Sequence, residues 1–76
     1  MNSFEAEFNN FDFNLQINNL KNQLLTVTDP EEIEKINNLI DFNISLEYIK
    51  QSNILNSITA RDFNVLKEQT YKSLLT

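Results

Sequence analysis

The sequence predicts an all-α protein: a compact three-helix bundle with helices at about residues 12–26, 30–55 and 60–75 and room for a short extra helix at the N-terminus. Three observations predict it. Two stretches carry well-marked helix starts, the apolar residues recur at helical spacing, and there is no Gly among the 76 residues. An average chain of this length would carry about five glycines. Without them, tight Asn-Gly hairpin turns are missing, which disfavours a β-meander or barrel. Gly-rich phosphate loops are excluded for the same reason.

In the first helix, Phe13, Ile17, Leu20 and Leu24 fall at i, i+4, i+7 and i+11, a single helical stripe. Asp12 is placed to cap its start, and the β-branched run Thr26-Val27-Thr28 ends it. The preceding residues do not continue this stripe. Phe4, Phe8, Phe11 and Leu15 also have helical spacing, but at about 100° per residue they point almost opposite to the later set. Either the chain breaks near Asn9-Asn10, or one long helix is apolar on opposite faces at its two ends. A strand is the third option, because Phe11, Phe13, Leu15 and Ile17 alternate, but no partner strand is signalled.

The second helix starts at Pro30. Asp29 supplies the cap, Pro30 occupies the first helical position where its missing N–H costs nothing, and Glu32 stands three residues after the cap. Glu31, Glu32 and Glu34 complement the positive end of the helix dipole. This helix is two-sided. Ile33, Ile36, Ile40 and Ile44 fall on one side; Leu39, Phe42, Leu46 and Ile49 fall on the other. Such a helix is central in its fold or part of a dimer seam, and Leu39, Phe42, Leu46 and Ile49 are the candidate self-association residues. Asn56 is the expected left-handed stop. The third helix starts with Thr59 as cap, Asp62 as capping-box acid, and Ile58 against Phe63 as hydrophobic staple. It then shows one apolar face of Phe63, Leu66, Thr70 and Leu74, with Tyr71 on its edge.

Residues 1–76 read as one domain with a small core, so stability rests on helix packing or self-association. With no Cys and no His there is no disulfide, thiol nucleophile or ordinary zinc site. The remaining carboxylates, Tyr, Lys, Ser and Thr form no recognisable catalytic set, and Glu31, Glu32 and Glu34 read as a solvated first turn rather than a metal site. The expectation is a non-enzyme without cofactor or metal. Asn43-Ile44-Ser45 matches a glycosylation sequon of the kind that arises by chance. No apolar run approaches the ~20 residues that span a bilayer, and the N-terminus lacks a signal-peptide pattern, so a cytoplasmic protein is expected.

The net charge of −5 is uneven: residues 1–49 hold nine acids against Lys21 and Lys35, and residues 50–76 hold four cations against Asp62 and Glu68. Arg61, Lys67 and Lys72 are too few and scattered for a convincing phosphate-binding face. The acidic half would meet a basic surface on a protein partner. The strongest candidate segment is residues 1–11 with Asp12 and Phe13, where four Phe interleave with three acids. Phe4, Phe8 and Phe11 would dock into an apolar groove while Glu5, Glu7 and Asp12 meet basic rims; the competing reading puts the rings in the protein's own core or dimer seam.

Leu55, Ile58-Thr59, Phe63, Lys67 and Leu74-Leu75 give residues 46–75 a pattern that resembles the short C-terminal domain (SHOCT) family, a helical hairpin. Asn56-Ser57 stands where that family usually has Gly, and Ala60-Arg61 where it has more acids. The resemblance implies a helix–turn–helix packing unit associated with assembly or binding, and no catalytic residue.

The expected function is a small acidic protein-binding module. The 13 Asn and frequent Ile and Phe suit an AT-rich genome, and the size and charge fit a phage or mobile-element protein that modulates or inhibits a host macromolecule. The alternatives are a self-associating scaffold component, possible as a homodimer, and a small DNA-binding or recombination accessory protein.

Overall fold

The computed structural model describes residues 3–53 and 57–75, without the side chains of Ser3, Ser57, Ile58, Tyr71 and residues 73–75. Among the described residues there are four helices and no strand: α1 (Ser3–Asn10), α2 (Phe13–Leu24), α3 (Pro30–Ser52) and α4 (Ser57–Leu75). The principal extents are 42 × 19 × 17 Å.

The opposed stripes of the N-terminal segment are reconciled by a corner. α1 ends at Asn10, the chain turns through Phe11 and Asp12, and α2 begins at Phe13. The break brings the α1 stripe round so that Phe8, Phe11 and Phe13 meet in one cluster instead of facing apart. Asp12 caps α2 as its sequence position predicts, its Oδ1 accepting from the Leu15 N–H at 2.9 Å. Leu15, grouped with the α1 stripe by spacing, is left on the surface at 56% exposure. The alternating strand reading of residues 11–17 is thereby excluded.

α2 closes with Val27 N–H donating to the Gln23 carbonyl at 3.2 Å, and a short link leads to α3. Asp29 is extended, its Oδ1 accepts from Glu31 N–H at 3.2 Å, and its carbonyl accepts from Ile33 N–H at 2.9 Å. Pro30 opens the helix. α2 and α3 pair antiparallel through Ile17, Leu20, Ile36, Leu39 and Ile40, with Leu24 and Val27 at the edge. This is the aliphatic half of the core.

The aromatic half lies where α2 starts, α3 ends and α4 starts. Phe8, Phe13, Leu46, Phe63 and Leu66 are fully buried there, with Phe4, Phe11, Phe42 and Ile49 packed against them. α3 is therefore central: one side meets α2, and the other meets the aromatic cluster. Asn43 sits between the two halves, fully buried, its Nδ2 donating to the Leu39 carbonyl at 2.7 Å. The residue that would accept sugar in the sequon is thus enclosed.

Two boundaries differ from the sequence reading. α3 stops at Ser52, not near 55, and the left-handed residue is Asn53, at φ 57° and ψ 38°. Asn tolerates this conformation better than most non-Gly residues. Ile49 is the last α3 residue packed on the aromatic cluster among the described residues. Asn56 and Leu55 lie outside the described residues. α4 begins at Ser57, so Thr59 is not a cap but a buried residue of the first turn. The expected staple partner Ile58 and the positions Tyr71 and Leu74 have no described side chains. The predicted face of α4 is otherwise present, with Phe63, Leu66 and Thr70 all buried.

Candidate functional site

In the Phe-rich segment Phe8 is fully buried core, and Phe4 and Phe11 pack against that core from half-buried positions. Phe8 packs edge-on to Phe63 at 5.2 Å and to Phe13 at 5.5 Å between ring centroids. Phe11 lies 4.7 Å from Phe13 and 5.2 Å from Phe63, and Phe4 lies 5.6 Å from Phe8. The physical reason is the corner at Phe11-Asp12, which lets one cluster receive both stripes. Aromatic rings at these separations add to simple area burial, so this end of the molecule is occupied by its own side chains.

The acids of the segment are also engaged within the chain. Glu7 accepts from Lys67 Nζ at 2.6 Å, and that ammonium stands 4.6 Å over the Phe63 ring. Lys50 Nζ donates to the Phe11 carbonyl at 2.9 Å and lies 5.5 Å from the Phe13 ring. Glu47 Oε2 is 3.3 Å from the same ammonium, close enough for an ion pair though outside hydrogen-bond geometry, while its Oε1 accepts from Gln51 at 2.9 Å. Two lysines thus clamp α1 and its corner to the bundle. Glu5 is half-buried, and Asp12 is the exposed cap of α2.

The proposed self-association residues are taken up in the same way. Leu39 belongs to the aliphatic core and Leu46 to the aromatic one, with Phe42 and Ile49 packed beside the latter. This second face of α3 is shared between the two core clusters, with Leu39 and Phe42 also lining a hollow between α3 and α4. Of the α4 cations, Lys67 pairs with Glu7 and Lys72 pairs with Glu68 at 3.1 Å, while Arg61 is exposed. Glu31, Glu32 and Glu34 are exposed at the start of α3. Among the described residues no group of three acidic side chains is placed to hold a metal ion, and no helix is long and apolar enough to cross a membrane.

The feature that sequence reasoning missed is a groove between α2 and α4, about 260 Å³ in volume. Its apolar walls come from Phe11, Leu15 and Leu20. Gln16, Asn19 and Gln23 supply carboxamides at i, i+3 and i+7 along α2, Asp12 supplies a carboxylate, and Thr70 enters from α4. Thr70 is 4% exposed, and neither its Oγ1 nor Gln16 Oε1 has a hydrogen-bond partner. Buried polar atoms are nearly always satisfied, and an unsatisfied one costs about 1–3 kcal/mol. Gln16, Asn19 and Gln23 carried no signal in the sequence; only the approach of Thr70 makes them one wall of a groove. A second hollow, about 510 Å³, lies between α3 and α4 over Ile36, Leu39 and Phe42. Its rim carries Glu32, Lys35 and Lys72, charges of both signs.

No family model, curated protein or solved structure matches this chain. The functional reading therefore rests on the chemistry of its own surface.

Proposed function

We propose that this protein is a small helical binding module that engages another protein through the α2–α4 side of the bundle and modulates that partner by covering a basic surface. The observation that carries the reading is the groove with two buried, unpartnered polar atoms, Gln16 Oε1 and Thr70 Oγ1, beside the exposed Leu15. Such atoms add nothing to the bundle's own stability, and a partner that satisfies them gains what the free protein lacks. The excess of acids in residues 1–49 favours a basic counterpart and speeds its approach.

The test is affinity capture from a lysate of the source cells, comparing wild type with Leu15→Glu. Leu15 is a surface residue, so the variant is expected to melt within a few degrees of wild type. A partner retained by wild type and lost by Leu15→Glu, then reproduced with the purified pair, supports the reading. Capture that is indifferent to Leu15→Glu, or no specific capture at all, overturns it.

A further inference from the structure

We propose that the α2–α4 groove is a receptor for one long cationic side chain, a lysine or arginine presented by a basic segment of the partner; this rests on the binding-module reading above. Three properties of the groove point to that chemistry. First, none of its eight lining residues is cationic, and its charged member is the Asp12 carboxylate. Asp12 uses Oδ1 to cap α2, and a carboxylate has further lone pairs on both oxygens for another donor. Second, its other polar groups are three carboxamides and a hydroxyl, and the two atoms without a partner are oxygens. Lysine offers three donors and arginine five, with no acceptor to leave unmatched. Third, the walls are apolar, from Phe11, Leu15 and Leu20. A lysine or arginine stem lies along apolar surface while its charged head stays at the wet end.

Size agrees with one side chain rather than a large ligand, since drug-sized sites run upward from about 300 Å³. Both oxygens are enclosed in the free chain, so their use by a ligand requires side-chain rotation. Thr70 turns about its first torsion and Gln16 about its terminal one, which is intrinsically broad. The hollow between α3 and α4 is less suited to this role, because Lys35 and Lys72 outnumber Glu32 on its rim.

The experiment titrates the isotope-labelled full chain with a twelve-residue alternating Ala/Lys peptide and follows backbone amide shifts. Ala/Gln and Ala/Glu peptides of the same length are the controls. The expected result is saturable binding of the Lys peptide alone, with shifts centred on Leu15, Gln16, Asn19, Gln23 and Thr70. The double variant Gln16→Leu/Thr70→Val is expected to weaken that binding about tenfold, the equivalent of one charge-assisted hydrogen bond. Both changes remove an unpaired buried oxygen, so the variant is expected to fold at least as well as wild type, and a thermal melt checks this. Asp12→Asn keeps a good capping residue and is expected to weaken binding severalfold and flatten its salt dependence. Equal binding of the Gln peptide, shifts centred instead on Glu31–Glu34, or unchanged affinity in the folded double variant would overturn the assignment. The lysate capture answers separately: a partner lost with Leu15→Glu but held by Gln16→Leu/Thr70→Val refutes the cation receptor and leaves the module standing.

Discussion

Asn43 offers the sharpest test of the packing argument. It is 0% exposed, its Nδ2 donates to the Leu39 carbonyl at 2.7 Å, and its Oδ1 has no partner. Replacing it with leucine keeps the branch at Cγ and removes both polar atoms. The Leu39 carbonyl is not orphaned, because in an α-helix it also accepts from the backbone N–H four residues on. The bond that is lost contributes about 1 kcal/mol, whereas the unsatisfied acceptor that disappears costs about 1–3 kcal/mol. Burying the leucine side chain adds about 1.5–3 kcal/mol, reduced by the crowding of a slightly larger group. Asn43→Leu is therefore expected to gain about 1–2 kcal/mol. For a domain of this size that raises Tm by about 4–16 °C. Urea unfolding followed by circular dichroism at 222 nm measures it, and the midpoint should rise with an unchanged slope. Asn43→Asp keeps the shape but encloses a carboxylate; it should lose about 3 kcal/mol or more, a loss that shrinks as the pH falls and the introduced carboxyl takes up its proton. A lower urea midpoint for Asn43→Leu would refute the reasoning. It would mean that Oδ1 is satisfied in solution, for example by an enclosed water.

Three further outcomes follow from the same structure. Phe8→Ala empties the centre of the aromatic cluster and is expected to cost about 3–5 kcal/mol, a large share of the ~5–15 kcal/mol that holds a small domain; retention of a wild-type melting curve would show that α1 does not pack as described. Asp12→Ala removes the α2 cap and should lose about 1 kcal/mol, while Asn53→Ala should lose a similar amount and Asn53→Gly little or nothing, since only the alanine resists the left-handed backbone; chemical denaturation ranks all three. A double-mutant cycle on Glu7 and Lys67, whose side chains are 52% and 32% exposed, should give a coupling of only about 0.2–1 kcal/mol that fades in high salt.

What was legible in the sequence was local chemistry. The caps at Asp12 and Asp29, Pro30 at the first helical position, and the stripe Phe13, Ile17, Leu20 depend on residues within a turn of each other, and the structure contains all of them. The aromatic cluster was not legible, because it depends on the angle at Phe11-Asp12. Helical spacing fixes a residue's direction within its own helix and says nothing about the next one. Leu15 shows the limit: it shares a period with Phe4, Phe8 and Phe11, yet the corner falls between them and leaves it in solvent. The end of α3 was misplaced because several Asn residues can take the left-handed position, and spacing alone does not single out Asn53. The groove needed Thr70 and α2 side by side, which no spacing rule supplies.

The lysine clamps carry a consequence for how the chain reaches this shape. Glu7 and Lys67 are 60 positions apart and Lys50 and Phe11 are 39 apart, while the α2–α3 hairpin closes over a few residues. Joining distant positions costs more chain entropy than joining near ones, so the hairpin is expected to form early and the two termini to arrive last. They must arrive together, because Phe8 needs Phe63 as much as Phe63 needs Phe8. The first and last segments of the chain then behave as one folding unit: loosening either end unfastens the other, and hydrogen exchange in α1 and in the first half of α4 should run at the same rate.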